Sequence, residues 1–323
     1  MLYDLKKTVC CLAAGMVFLF ALPSLAEAAD RYWVGGTGNW SDATNHWAAT
    51  SGGAPNPSFT PTSSDNVIFD TNSSTANAAY TVTVNAAATC LDLTMNGPGA
   101  GNDVTWAGAS ALAIAGSMNL AGGSADIIRT YTGAITFGAT TTGKTITFNG
   151  VSLASALTFS GAGGSWTLQD ALTTTGTFRA AAGTLDTNGQ NLTTGAVTVT
   201  ATSTLVLTLG ASNWQATGWT GTASALLTFT PGTSTITLSN TGTTTFAGGG
   251  LTYNNVVITD YAAASVGALT GINTFNNLSF VGVDNVNCTQ TIAANQTITG
   301  TLTISGFSAA RRMYVRSSVT GTA

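Results

Sequence analysis

The chain has 323 residues, a net charge of −4 from nine Lys and Arg against thirteen Asp and Glu, one His and four Cys. So weak and acidic a balance leaves no basic stripe to neutralise phosphates, which excludes nucleic acid as an expected partner. Low charge with abundant Thr, Val, Ile and Leu in alternation excludes a disordered polar chain, and the scarcity of Glu and Lys points to all-β structure.

Residues 1–28 read as an export leader. Lys6 and Lys7 precede the uncharged apolar run Val9 to Leu22, and Pro23 with Ala26-Glu27-Ala28 supplies a helix-ending residue and a small-x-small cleavage pattern. The run is 14 residues, shorter than the roughly 20 that span a bilayer. The predicted location is therefore secreted or cell-surface. No later segment is apolar enough to be a membrane helix. Cys10 and Cys11 leave with the leader, and Cys90 and Cys288 remain 198 positions apart. A disulfide needs Cα atoms within about 7 Å, so two separately buried thiols are expected. Neither Cys has a neighbouring Cys or His, and no metal or other cofactor is expected.

Residues 29–78 are the expected N-terminal cap. Trp33, Trp40 and Trp47 fall at intervals of seven in a segment that also holds the lone His46. The first coil of a solenoid has an open edge that would pair with other chains, and aromatic rings packed on it close that edge. The rival reading makes Trp33, Trp40 and Trp47 stacking platforms for sugar rings, assisted by Asp42 and His46, because indole faces suit sugar C–H groups and polar tips suit hydroxyls. Buried indoles would mean a cap, and solvent-facing coplanar ones a carbohydrate site. Asp65, Asn66 and Asp70 lie close enough to raise calcium, but the nonapeptide series of calcium-binding β-rolls is absent.

Residues 79–323 read as repeats. Runs such as Tyr80-Thr-Val-Thr-Val84, Lys144-Thr-Ile-Thr-Phe148 and Leu205-Val-Leu-Thr-Leu209 alternate with period two, placing aliphatics on one face and Thr on the other. Gly-rich corners such as Ser160-Gly-Ala-Gly-Gly164 and Ala247-Gly-Gly-Gly250 separate them. The sharpest signal is a pair of near-copies, Leu251-Thr-Tyr-Asn-Asn-Val-Val-Ile258 and Asn273-Thr-Phe-Asn-Asn-Leu-Ser-Phe280, offset by 22 positions. So short a period is one coil of a solenoid, in which like residues of successive coils stack. Roughly 11 to 13 such coils at about 4.8 Å each give a rod of about 55 to 60 Å. Asn254, Asn255, Asn276 and Asn277 are predicted to form ladders or corners. Immunoglobulin-like sandwiches in series are the alternative fold, disfavoured by the lack of a longer period.

No catalytic grammar stands out. The acidic residues after the leader are all Asp, and those beyond the cap are scattered. Stacking makes Asp103 with Asp126, Asp170 with Asp186, and Asp260 with Asp284 candidate vertical neighbours, against the plainer role of turn capping. Arg311, Arg312 and Arg316 read as the solvated face of an edge strand.

The pattern Tyr-Trp-x-Gly-Gly-x-Gly-Asn-Trp-Ser, followed by His-Trp and Asp-Asn-Val-x-Phe-Asp, spans Tyr32 to Asp70. It resembles the entry module of secreted bacterial β-helix proteins of the autotransporter-associated, adhesin-like type. Similar too is Leu157-Thr-Phe-Ser-Gly-Ala-Gly-Gly-Ser-Trp-Thr-Leu168 followed by Gly183-Thr-Leu-Asp-Thr-Asn-Gly189. The resemblance implies a right-handed parallel β-helix exposed outside the cell. Nothing resembles the C-terminal membrane barrel of such proteins, so the repeats are expected either to use another export system or to be the front of a longer product. The functional expectation is an exported structural or adhesive rod without catalytic activity, contacting a host surface or glycan. The alternative is a carbohydrate-binding or polysaccharide-processing β-helix.

Overall fold

The structure, a computed structural model, describes residues 28–75, 78–97, 103–240, 242–260, 266–282, 287–308 and 311–318. The leader up to residue 27 and Asp284 lie outside the described residues. The chain is all-β, with about 3% helix, and its strands stack in parallel as a β-solenoid of about 10 turns.

Alternation sets the wall. In Tyr80–Val84 the residues Tyr80, Val82 and Val84 are buried while Thr81 and Thr83 are half-exposed, and Leu205–Thr208 repeats the pattern. Each inward residue lies over its counterpart one coil away, as in Ile114, Phe137 and Phe159, so the interior is a set of columns. Phe137 and Phe159 stack at 4.7 Å with their planes 15° apart. Burying one such side chain contributes about 1.5–3 kcal/mol. No coil could bury its own face alone.

Three sides close each of the early coils. A ten-stranded sheet and an eleven-stranded sheet run along most of the stack. The third side is a four-stranded sheet in the first coils and an eight-stranded sheet in the later ones. Coil length is uneven, since the register step is 28 residues from Met118 to Ile146 but 19 from Trp166 to Leu185. That unevenness, with the long cap segment, leaves fewer coils than a uniform 22-residue period predicts. Ten strand steps in the eleven-stranded sheet amount to about 48 Å.

The segment expected as a cap shares these sheets. Ala29–Trp33 pairs in parallel with Asp65–Phe69, and Gly38–Asn39 with Tyr80–Val84. On the outer side of Ala29–Trp33, Trp47–Ala48 pairs antiparallel and occupies the first edge of the ten-stranded sheet.

The cross-section changes once, after strand Leu227–Thr230, where the ten-stranded sheet ends. Beyond it the chain passes directly between the eleven- and eight-stranded sheets. The corner Gly248–Gly250 makes this short cut. Gly249 has φ +65°, and a Cβ there would lie 2.0 Å from the Gly221 carbonyl oxygen, so only glycine fits. Tyr253 then fills the narrowed interior, ringed by Trp219, Phe229, Phe246 and Phe275 at 4.9 to 6.1 Å. Strands Thr252–Asp260 and Thr274–Gly282 lengthen to nine residues each. Their register pairs Thr252 with Thr274, Tyr253 with Phe275 and Ile258 with Phe280, the stacking read from the two near-copies. Among the described residues no helix is long and apolar enough to cross a membrane.

Candidate functional site

In the cap, Asp42 begins the four-residue helix Ala43–His46 by accepting the Asn45 backbone N–H at 3.3 Å and its side-chain amide at 2.8 Å. The Asn45 side-chain bond holds the Asp42 carboxyl below the usual range. This turn returns His46 onto Trp33, where the rings stack at 4.5 Å and 2°. His46 Nδ1 lies 2.8 Å from the Val34 carbonyl oxygen. A carbonyl can only accept, so Nδ1 carries the proton. Trp33 Nε1 donates to Gly36 O and Trp47 Nε1 to Trp40 O, each at 2.7 Å. Trp47 meets Trp33 and Trp40 at 5.0 and 5.1 Å, and Phe69 packs against all three.

Trp33, Trp40 and Trp47 are 0%, 2% and 0% exposed, and His46 is buried. The stacking-platform expectation for Trp33, Trp40, Trp47, Asp42 and His46 is corrected on this point: neighbouring rings cover the indole faces, and Asp42 is turned to Asn45. These residues seal the first coil. Asp65 and Asn66 are likewise engaged. Asp65 forms an ion pair with Arg31 at 2.9 Å and accepts from Thr62, and Asn66 donates to Asp30 at 2.9 Å.

Three of the carboxylates beyond the cap bind backbone. Asp92 accepts from Ser117 N–H, Asp170 from Phe148 and Asn149 N–H, and Asp186 from Asn188 N–H. Register places Asp186 over Thr167 and under Thr208, not over Asp170. Asp103 and Asp126 do precede the paired Val104 and Ile127, one coil apart. Among the described residues no group of three or more His, Cys, Asp or Glu is arranged to hold a metal. Cys90 and Cys288 are both buried, and burial pushes the Cys90 thiol up, away from the reactive thiolate.

Exposed chemistry gathers elsewhere, on the outer face of the eight-stranded sheet. Asn213, Thr235, Asn255 and Asn277 follow one another in register, and beside them run Gln215, Thr237, Val257 and Ser279. Asn277 Nδ2 donates to Asn255 Oδ1 at 2.8 Å, and Asn255 Nδ2 to Thr235 Oγ1 at 3.2 Å. Asn276 and Asn254 form a second ladder at 3.3 Å. The predicted ladder role of these four Asn residues holds. Two shallow grooves of about 390 and 400 Å³ lie on this face, the first lined by Thr235, Asn255, Asn277, Ser279 and Thr303, the second by Asn191, Asn213, Gln215 and Thr237. Residues 187–259 contain no Asp, Glu, Lys, Arg or His. Amides and hydroxyls donate and accept hydrogen bonds without titrating near neutrality, so the strip can bind polar groups but offers no general acid or base. Sequence reasoning caught the Asn ladders and missed Asn213, Gln215, Thr235 and Thr237, whose signal was the long uncharged run.

Fold and face together define a parallel β-solenoid with an aromatic-sealed first coil and a neutral, hydroxyl- and amide-bearing wall. No protein-family model, curated protein or solved structure matches the chain.

Proposed function

We propose that the chain is an exported, surface-exposed β-solenoid that serves as a structural and adhesive rod and carries out no catalysis. The observation that carries this reading is the pairing of a stiff stack, each coil hydrogen-bonded to the next, with side walls of laddered Thr and Asn. Such walls spread contact over many weak hydrogen bonds. Charge contributes little to them, so adhesion of this kind is insensitive to salt. Small-angle scattering of the purified protein tests the rod: an elongated profile is expected, and a compact one refutes it. Protease accessibility on intact producing cells tests display, and an uncleaved intracellular pool is the contrary result.

A second reading is favoured by one observation, the neutral grooved strip. It fits an uncharged glycan, whose hydroxyls match donors and acceptors repeated about every 4.8 Å. On a glycan array, binding to neutral saccharides that falls in Asn255→Ala and Asn277→Ala but survives Trp40→Phe would support this reading. Binding only to acidic glycans, or cleavage of any polysaccharide, would refute it.

A further inference from the structure

We propose that the ledge where the ten-stranded sheet ends is a strand-addition site for a single extended, uncharged peptide segment with apolar side chains at alternate positions. Strand Leu227–Thr230 pairs in parallel with Leu205–Thr208 on one side, and among the described residues nothing pairs with its other side. Leu205 N–H donates to Leu226 C=O, and Leu209 N–H to Thr230 C=O. Residues 226, 228 and 230 therefore turn their peptide groups toward the coil below, and alternation turns those of Leu227 and Phe229 to the open edge. The Leu227 N–H is engaged by Ser224 O. That leaves the Phe229 N–H and the Leu227 and Phe229 carbonyls, which an extended backbone is shaped to meet.

The side chains make the same offer. Leu205 and Leu207 are fully buried, whereas Leu227 and Phe229, directly above them in register, are only half-buried. Two interior columns thus end only half-covered. Leu226 on this ledge is 46% exposed, and Ile272 on the corner above is 71% exposed. An incoming strand would set apolar side chains on Leu227 and Phe229 and hydroxyls beside Thr228 and Thr230.

Edge strands usually carry a Lys, a proline or a bulge that blocks such pairing. Leu227–Thr230 carries none, and its nearest charges in sequence are Asp186 and Asp260. The neutral surroundings neither attract nor tolerate a charged segment, which sets the chemistry of the occupant. Size decides between a peptide and a folded partner. Four residues offer about 13 Å of edge, too little to anchor the roughly 1,200 Å² that a stable protein interface buries.

The probe is the fluorescein-labelled peptide Gly-Thr-Leu-Thr-Phe-Thr-Gly, titrated with the full chain and followed by fluorescence anisotropy. Its control, Gly-Thr-Leu-Pro-Phe-Thr-Gly, cannot pair along its length. Saturable binding of the first and none of the second is expected, weakened roughly tenfold or more in Thr228→Lys. That substitution places a charge on the exposed face and leaves the core intact, and Phe229→Pro, checked by circular dichroism, removes the edge donor itself. No binding, equal binding of the proline peptide, or unchanged binding by Thr228→Lys overturns the proposal. So does concentration-dependent dimerisation in sedimentation that Thr228→Lys abolishes, which would make the occupant a second copy.

Discussion

Tyr253 stands where three-sided coils give way to two-sided ones, and replacing it with Phe tests how the two sections are joined. Its hydroxyl accepts from Trp219 Nε1 at 3.1 Å and donates to the Gly248 carbonyl at 2.8 Å, with the side chain 1% exposed. Tyr253→Phe keeps the ring packing and removes both bonds. It strands a buried indole N–H and a corner carbonyl. Each neutral bond contributes about 0.5–1.5 kcal/mol net, so the change costs about 2 kcal/mol. Because stability in a solenoid is carried between neighbouring coils, the cost falls on the coils that follow. Trp219 is the last Trp in the chain, so intrinsic fluorescence reports on the junction itself and poorly on the coils beyond it. Hydrogen exchange read by mass spectrometry does report on them. Peptides covering residues 252–282 should exchange about 30-fold faster in the variant, and those covering 80–137 at the parental rate. Uniform acceleration along the chain, or none, would refute the view that Tyr253 couples the sections.

Gly249→Ala should destabilise the chain by at least about 2 kcal/mol in urea unfolding, since the positive φ and the Gly221 carbonyl both oppose a Cβ; a neutral result would mean the corner is misplaced. Trp40→Ala should cost about 3–5 kcal/mol by opening a cavity among Trp47 and Phe69, and an unchanged unfolding midpoint would put Trp40 outside the packed cap. Burial pushes the Tyr80 phenol up to about 12 and those of Tyr131 and Tyr253 further. The folded state therefore holds protons that the unfolded chain releases near 10. Stability is full below about pH 10 and falls as pH rises through about 12. Phenolate absorbance of these three residues should appear together with loss of β-sheet circular dichroism, and titration of Tyr80, Tyr131 and Tyr253 ahead of unfolding would contradict their burial.

What could be read in advance was what repeats. Two near-copies 22 residues apart fixed the stacking of Tyr253 on Phe275, because a coil-to-coil register is a sequence offset. Alternation gave the inward Val82, Val84, Ile146 and Phe148 for the same reason. The vertical pairing of Asp170 with Asp186 fails because their 16-residue spacing falls short even of the 19-residue coil between them, which sets Asp186 on Thr167. The loss of the ten-stranded sheet was hidden as well: Gly248-Gly249-Gly250 looks like any other corner, and only the direction the chain takes after it removes a side. Regular heptad-like spacing of Trp33, Trp40 and Trp47 could not say whether the rings faced out or in. Their burial follows from the His46 turn and from Phe69, which arrives from a strand about 30 residues later in the chain.

Cys90 and Cys288 sit in the same eleven-stranded sheet, nine strand steps apart, a separation of about 43 Å. A sulfur–sulfur bond tolerates no such span. An oxidised monomer that joins the two thiols is consequently a record of having left the native state, so the pair works as a built-in tally of unfolding under oxidising conditions.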